Sequence, residues 1–304
     1  MKVGIVSPSS SSTFCGERRR QLYKGLKTIK SLGLGCILSE HAEAGEGYVS
    51  DTLEHRLEDF HKMYSDKDVN AIIASNGGWN SNQLLPYIDY RLIKKHPKPL
   101  MGFSDISILM NAIYRKTGIE QIHGPLVTWG FHKNDKISNE SFLNVLNHKS
   151  QKFALDEFGK WLKGDKMKGI LIGGNIVSMS TLLGTKYEPK WSKKIFFWEE
   201  TEETIYHLDR VLVHFKNAGV WNKISGMIIG NIDNAKEEFG KKKFPVDNLI
   251  TDHFSDYKFP ILKTKLFGHN IKTHISIPIG GMIDADNKEI IISPKIKTKK
   301  LLFF

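Results

Sequence analysis

The stretch Gly102-Phe103-Ser104-Asp105 joins an apolar, strand-like run to a helical one. A serine on such a sharp turn presents its hydroxyl above a sheet edge, and the helix amides behind it can stabilise an oxyanion. The same placement suits a plain helix N-cap, with Asp105 as a first-turn acid. The last glycine of the G-x-S-x-G elbow is also missing. A second turn, Ser75-Asn76-Gly77-Gly78-Trp79-Asn80, follows a buried run. Paired glycines there let backbone approach a ligand and offer amides to an anion, or simply supply positive φ to a loop. No G-x-G-x-x-G and no P-loop lysine accompany them. Glu199 closes the apolar run Ile195-Phe196-Phe197-Trp198, where it either orients a histidine or is a surface acid. Glu202 and Glu203 follow Thr201 and read as the first turn of a helix capped by that threonine. Among twelve histidines, His269 stands beside a glycine in Phe267-Gly268-His269-Asn270, free to reach a cleft as a general base. His123, in His123-Gly124-Pro125, ends a strand-like run and is a candidate for the substrate side. No set of His, Cys, Asp or Glu is spaced as metal ligands, so no metal or cofactor is expected.

These residues need elements to hold them. Glu17 to Leu32 carries Leu22, Leu26 and Ile29 at helical spacing, and Leu53, Leu57, Phe60 and Met63 share one helical face. KVGIVSPS, GCILSE, AIIAS, PLMGFSD and IEQIHGP read as strands between helices, and Asn80 to Tyr90 reads as helical despite Pro86. Strands separated by helices imply a parallel sheet covered on both faces, with ligands beyond its carboxyl edge. Both glycine-containing turns lie on that edge. Residues 131–168 are polar, with short helical patterns at Phe142–Leu146 and Phe158–Leu162. They place a linker at 146–167 between a first domain, 1–145, and a second, 168–304. The second mixes GILIGGNIVS, KIFFWE, a helix from Glu202 to Asn217, GMIIGNI, HISIPIG and EIIISP, which suggests a smaller α+β or β-rich unit.

The chain has 304 residues, 40% of them hydrophobic, enough for two ordinary domains. No apolar run reaches the roughly 18 residues of a membrane span. The start lacks the long apolar segment of a signal peptide. Cys15 and Cys36 are the only cysteines, which excludes a disulfide scaffold and fits a cytoplasmic location. The net charge is +11 (44 basic residues minus 33 acidic). Short clusters at Arg18–Arg20, Lys241–Lys243 and Lys297–Lys300 are not interleaved with aromatics, so no nucleic-acid polymer is expected as partner. A field attracting anionic substrates is the alternative use of that charge.

Four segments taken together resemble the LD-carboxypeptidase family of serine peptidases, in particular its microcin self-immunity branch. They are IIASNGGWNSNQLLPYIDY; GFSDISILMNAIYRKTGIEQIHGP; GGNIVSMSTLLGTKYEP with FFWEETEETIYHLDRVL; and FGHN with IPIG. Their order and spacing match from Lys2 to about Gly280. The resemblance implies Ser104 as nucleophile, Glu199 as triad acid, His269 as base, and an oxyanion hole from the Gly78 and Asp105 amides. Gly77, Trp79, Asn80, His123, Gly174 and Asn175 become substrate-binding candidates. It further implies a Rossmann-like N-terminal domain, a smaller C-terminal domain, the site between them, a homodimer, and a peptide or peptidyl-nucleotide substrate. Asn76 stands where the murein branch has an arginine, which points away from murein tetrapeptides. Trp79 or Trp129 could stack on a base, though each also suits plain packing. Three rival readings stand beside it. A ligand-binding protein that has lost catalysis is disfavoured by the presence of all three triad types. A glutamine amidotransferase needs a cysteine at position 104. A nucleic-acid binder predicts salt-dependent affinity.

Overall fold

Short runs rich in Val and Ile pleat into strands, and the amphipathic stretches between them cover the sheet they form. Residues 1–45, 48–233 and 245–294 are described by the computed structural model. The lysine clusters at 241–243 and 297–300 lie outside the described residues.

The first half runs β1 (Lys2–Val6), α1 (Gly16–Ser31), β2 (Gly35–Leu38), α2 (Leu53–Ser65), β3 (Val69–Ala74), α3 (Tyr90–Lys95), β4 (Leu100–Gly102), α4 (Ile106–Thr117), β5 (Gln121–His123). The strands lie in the order β2-β1-β3-β4-β5, all parallel. Side chains alternate across the sheet, so Val3, Ile5, Ala71 and Ile73 meet Leu22, Leu26 and Ile29 of α1 on one face. Val6, Ile72 and Ala74 join the opposite core with Phe60 and Met63 of α2 and Leu109 and Ile113 of α4. Order reverses between β1 and β3, the point at which an open α/β sheet leaves a crevice at its carboxyl edge. The turns after β1, β3 and β4 meet there.

The second half runs α5 (Lys136–Leu146), β6 (Gln151–Ala154), α6 (Leu155–Phe158), β7 (Gly159–Lys163), β8 (Met167–Asn175), α7 (Ile176–Ser180), β9 (Lys194–Thr201), α8 (Ile205–Asn217), β10 (Gly226–Asp233), α9 (Val246–Phe254), β11 (Ile261–Thr264), β12 (Ile277–Ile279), β13 (Met282–Ala285), β14 (Glu289–Ser293). Eight strands form a second sheet, β6-β14-β13-β8-β9-β10-β11-β7, parallel at its centre from β8 to β11 and antiparallel at both flanks. Leu208, Leu212 and Phe215 of α8 are fully buried, each worth about 1.5–3 kcal/mol of burial. Phe215 stacks on Trp221 with ring centroids 5.1 Å apart.

Helix α4 ties the halves together. Asn111 Nδ2 donates to the Gly173 carbonyl (2.8 Å) and the Asn175 amide donates to Ser107 Oγ (3.1 Å). Gly174 has φ 146°, and a Cβ there would lie 2.1 Å from Ser107 Oγ, so only glycine lets β8 approach so closely.

Several expectations are corrected. Residues 146–167 are no linker: β6 and β7 are strands of the second sheet, paired with β14 and β11. The apparent helical pattern at Phe158–Leu162 falls mostly in β7, an edge strand whose Trp161 and Leu162 pack on the core. Asn80–Tyr90 makes one 3₁₀ turn (Ser81–Leu84) before Pro86 stops it. HISIPIG is a strand only at Ile277–Ile279, and that strand returns to the first sheet, antiparallel to β5. Helix α8 begins at Ile205, with Thr204 accepting the His207 amide, so Thr201 is not its cap.

Candidate active site

Ser104 has φ 60°, in the left-handed region. A non-glycine residue there costs of order 1–2 kcal/mol and persists only where its surroundings impose it. The N-cap alternative therefore fails: the helix-preceding position is Asp105, whose side chain makes no cap bond. Its buried carboxylate instead accepts from Ser9 Oγ (2.5 Å) and the Ser81 amide (2.8 Å), while its carbonyl accepts from Ser81 Oγ (2.9 Å). Burial pushes the Asp105 carboxyl up, against the pull of these donors. The turn carrying Ser104 is thus pinned by loops after β1 and β3. Gly77 presses close to it: a Cβ on Gly77 would be 3.4 Å from Ser104 Oγ.

Glu199 lies on β9 and His269 on the loop after β11, 70 residues apart in sequence. His269 Nδ1 donates to Glu199 Oε2 at 2.6 Å. Glu199 is fully buried. Burial alone pushes its carboxyl up, but the charge and hydrogen bond of His269 outweigh this and hold it below the ordinary carboxylate range. Burial pulls His269 down, and the Glu199 charge and hydrogen bond, with Glu200 and Asp233, raise it above its ordinary value. Phe103 packs against the His269 ring, centroids 4.7 Å apart.

Ser104 and His269 line one cleft of about 580 Å³ between the two sheets. Gly77, Gly78 and Asn175 line it too, as do Trp79, 79% exposed at its mouth, and Trp129. Among the described residues, the Gly78 and Asp105 amides donate no hydrogen bond to the protein. Gly78 has φ 146°, and a Cβ would lie 2.2 Å from Ser10 Oγ and 2.4 Å from Ser9 Oγ. The cleft is polarised. Arg18 lies 5.0 Å from the Trp129 ring centroid. Glu200, Glu202 and Glu203 line the second domain's wall. Glu200 is pushed up to about 7, first by burial and then by the Glu199 charge.

Three substrate candidates are not where they were expected. Asn80 is buried, with Oδ1 accepting from Arg56 (3.1 Å), and does not line the cleft. Gly174 packs against Ser107 for the reason given above. His123 is fully buried below the cleft, boxed by Phe103, Phe197 and Phe267, and burial pushes it down to about 4. The Ser10–Ser11 loop, Phe14, Arg18 and Tyr48 line the cleft without having been singled out as site residues. The signal available for them was the Ser-rich run directly after β1, on the sheet's carboxyl edge.

Ligand-type atoms of His41, Asp51 and His55 come within 4.8 Å of one another outside this cleft, a grouping not read from their spacing. The two rings are stacked 4.1 Å apart at 8°. Imidazole lone pairs lie in the ring plane, so those of parallel, offset rings cannot converge on one ion. Their Nδ1 atoms already meet Asp59 and Asp51.

A parallel sheet with a left-handed serine at its carboxyl edge, sharing one cleft with a histidine that a buried glutamate of the second sheet holds, is a geometry that fits a serine hydrolase built across two domains. The LD-carboxypeptidase N-terminal domain matches residues 3–124 and the C-terminal domain residues 168–284, and the chain belongs to the LD-carboxypeptidase family of serine peptidases. A putative carboxypeptidase of Treponema pallidum is 30% identical, over 96% of this chain and 92% of the relative. A probable murein peptide carboxypeptidase of Bacillus subtilis is 28% identical, over 91% and 86%. The microcin C7 self-immunity protein MccF of Escherichia coli is 27% identical, over 98% and 95%. The structure of MccF in complex with glutamyl sulfamoyl guanosine shares the fold, with TM-score 0.86 and 24% identity over 96% of this chain and 95% of that one.

Proposed function

We propose that the protein hydrolyses an amide joining an aminoacyl or peptidyl group to a modified nucleotide, with Ser104, His269 and Glu199 as its catalytic triad. His269 Nε2 takes the Ser104 proton as Oγ attacks the carbonyl carbon, while Glu199 fixes the Nδ1–H tautomer and stabilises the imidazolium. The Gly78 and Asp105 amides receive the oxyanion. His269 then protonates the leaving amine, the C–N bond breaks, and a water activated by the same imidazole hydrolyses the acyl-serine. The carrying observation is that His269, held at 2.6 Å by the buried Glu199, lines one cleft with a left-handed Ser104.

Two features favour the nucleotide leaving group. Trp79 and Trp129 offer aromatic faces at the cleft, and the MccF structure of the same fold holds an aminoacyl sulfamoyl nucleoside. Asn76, which stands where the murein branch has an arginine, is neutral and so brings no cation to a terminal carboxylate. Its amide is used internally: Nδ2 donates to the Ser11 carbonyl and Oδ1 accepts from Thr128. The second reading is removal of a terminal D-amino acid from a murein tetrapeptide, favoured by the Bacillus subtilis relative. A cytoplasmic homodimer completes the proposal. The two unpaired cysteines fit that compartment, and among the described residues no helix is long and apolar enough to cross a membrane. Mass spectrometry of products from a peptidyl sulfamoyl adenosine and from a muropeptide tetrapeptide tests it. Expected is cleavage of the first. Cleavage of the tetrapeptide alone supports the murein reading, and cleavage of neither by a folded, serine-reactive enzyme removes both.

A further inference from the structure

Behind the Glu199–His269 pair lies a buried region where polar atoms find no partner. Glu199 Oε1, both ring nitrogens of His123, His274 Nε2 and Ser276 Oγ are all fully enclosed and bonded to nothing among the described residues. They are neighbours. Phe197 and Glu199, two apart on β9, project from the same face, and the His123 ring packs on Phe197 with centroids 5.2 Å apart. Phe267, two residues before His269, covers another side of the same ring at 5.8 Å. His274 lies 5.4 Å from His123, centroid to centroid. A Cβ on Gly124 would touch Ser276 Oγ at 2.8 Å, which places that hydroxyl beside the His123 backbone.

Enclosed polar groups in folded proteins are almost always paired, and each orphan is costly. Orphans clustered in one place are the signature of a buried water, which needs two to four polar partners. No direct bond joins His123 to Glu199, yet each feels the other's charge. We infer that an ordered water bridges His123 to Glu199 Oε1, making His123 a positioning residue that holds the triad carboxylate from behind. The inference rests on the triad reading above. His123 contributes no atom to the cleft, so it cannot act on substrate. It acts through Glu199: the bridged donor stabilises the carboxylate most when His269 is neutral and the negative charge is uncompensated. Loss of the donor therefore favours protonated His269 and moves the acid limb of reactivity to higher pH. The groups facing His269 are Glu199 and Glu200 from β9, Asp233 from β10, and the neutral histidines 123 and 274. Only the first of these is altered through the water.

The probe is an alkyl fluorophosphonate, whose second-order labelling rate against pH reads nucleophile activation without a natural substrate. His123→Phe keeps the aromatic packing and removes the donor. Its labelling should slow by about ten- to a hundredfold, with the acid limb raised by roughly half to one pH unit. His123→Gln restores a donor, and should recover to within about fivefold of wild type with the limb back in place. A role in packing alone would lower Tm and leave the limb unmoved. An unchanged rate and limb in His123→Phe overturns the inference, as does a Gln variant as slow as the Phe one. A crystal structure of the wild type at about 1.5 Å is decisive if the Phe variant does not fold. Expected is a water within about 2.6–3.2 Å of both Glu199 Oε1 and a His123 ring nitrogen; no water there overturns it. An adduct away from Ser104 in the wild type would instead sink the triad reading.

Discussion

Glu199→Gln is the most informative single substitution, because it changes one atom in a fully enclosed site. Oε2 accepts the His269 Nδ1–H at 2.6 Å. An amide in its place must present either oxygen or NH2 to that nitrogen. With NH2 facing, the imidazole is driven into the tautomer that cannot accept the serine proton. With oxygen facing, the tautomer survives but the imidazolium loses its counter-charge. The analogous loss in the serine-protease triad costs about 10⁴ in kcat, or about 5.5 kcal/mol of transition-state stabilisation. The pH profile gives an independent sign. Glu199 supplies the largest upward pull on His269, against the downward pull of burial. In the wild type the acid limb of kcat/KM should therefore lie above the ordinary histidine value of 6.5. In Glu199→Gln the downward pull is left with weaker opposition, so the limb moves to lower pH while the plateau falls. Steady-state kinetics from about pH 5 to 9, on whichever amide substrate turns over, measure both. A variant with more than a tenth of wild-type activity, or a limb that does not move, would refute the role given to Glu199.

Other consequences follow from the same geometry. Ser104→Ala and Ser104→Gly should both lose about three to six orders of magnitude in turnover; thermal denaturation should find the glycine variant more stable by about 1 kcal/mol, since φ 60° suits glycine and strains alanine. Gly78→Ala should cost more than about 2 kcal/mol, because its Cβ falls on the Ser9 and Ser10 hydroxyls, and fluorophosphonate labelling should fall with it. Stability and activity should diverge with pH. The raised His269 contributes stability fully present below 6.5 and lost as pH rises through its folded value, whereas the depressed Glu199 contributes stability present above 4.5 and lost as pH falls; urea titrations across that range should show stability declining where kcat/KM climbs. Activity should survive exhaustive dialysis against EDTA, since the proposed mechanism takes its base from His269 and not from a metal-bound water; loss restored by zinc would contradict the serine mechanism.

What the sequence disclosed follows physical range. Helix α4 was legible because Ile106, Leu109, Met110 and Ile113 mark one face within a few turns, and Gly118 ends it in the left-handed region. Glycine-paired turns at a sheet's carboxyl edge were legible for the same local reason. Ser104 was ambiguous because an N-cap and a nucleophile turn share their residue types and differ in φ. The pairing of Glu199 with His269 left no local trace, as 70 residues separate them; only the joint resemblance of distant segments suggested it. The burial of His123 was not legible, because a strand end looks solvent-facing until a second sheet closes over it with Phe197 and Phe267. The strands at 151–154 and 159–163 escaped notice because edge strands alternate polar residues toward solvent, which in a lysine-rich stretch reads as a linker.

The most direct test of the central claim is to map the covalent adduct. Ser10, Ser11 and Ser178 line the same cleft as Ser104, so a fluorophosphonate meets four serine hydroxyls and chooses by activation. Peptide mapping after labelling the wild type should find one modified residue, Ser104, with no adduct in Ser104→Ala. An adduct on Ser10, Ser11 or Ser178, or undiminished labelling of Ser104→Ala, would contradict a mechanism built on Ser104, His269 and Glu199.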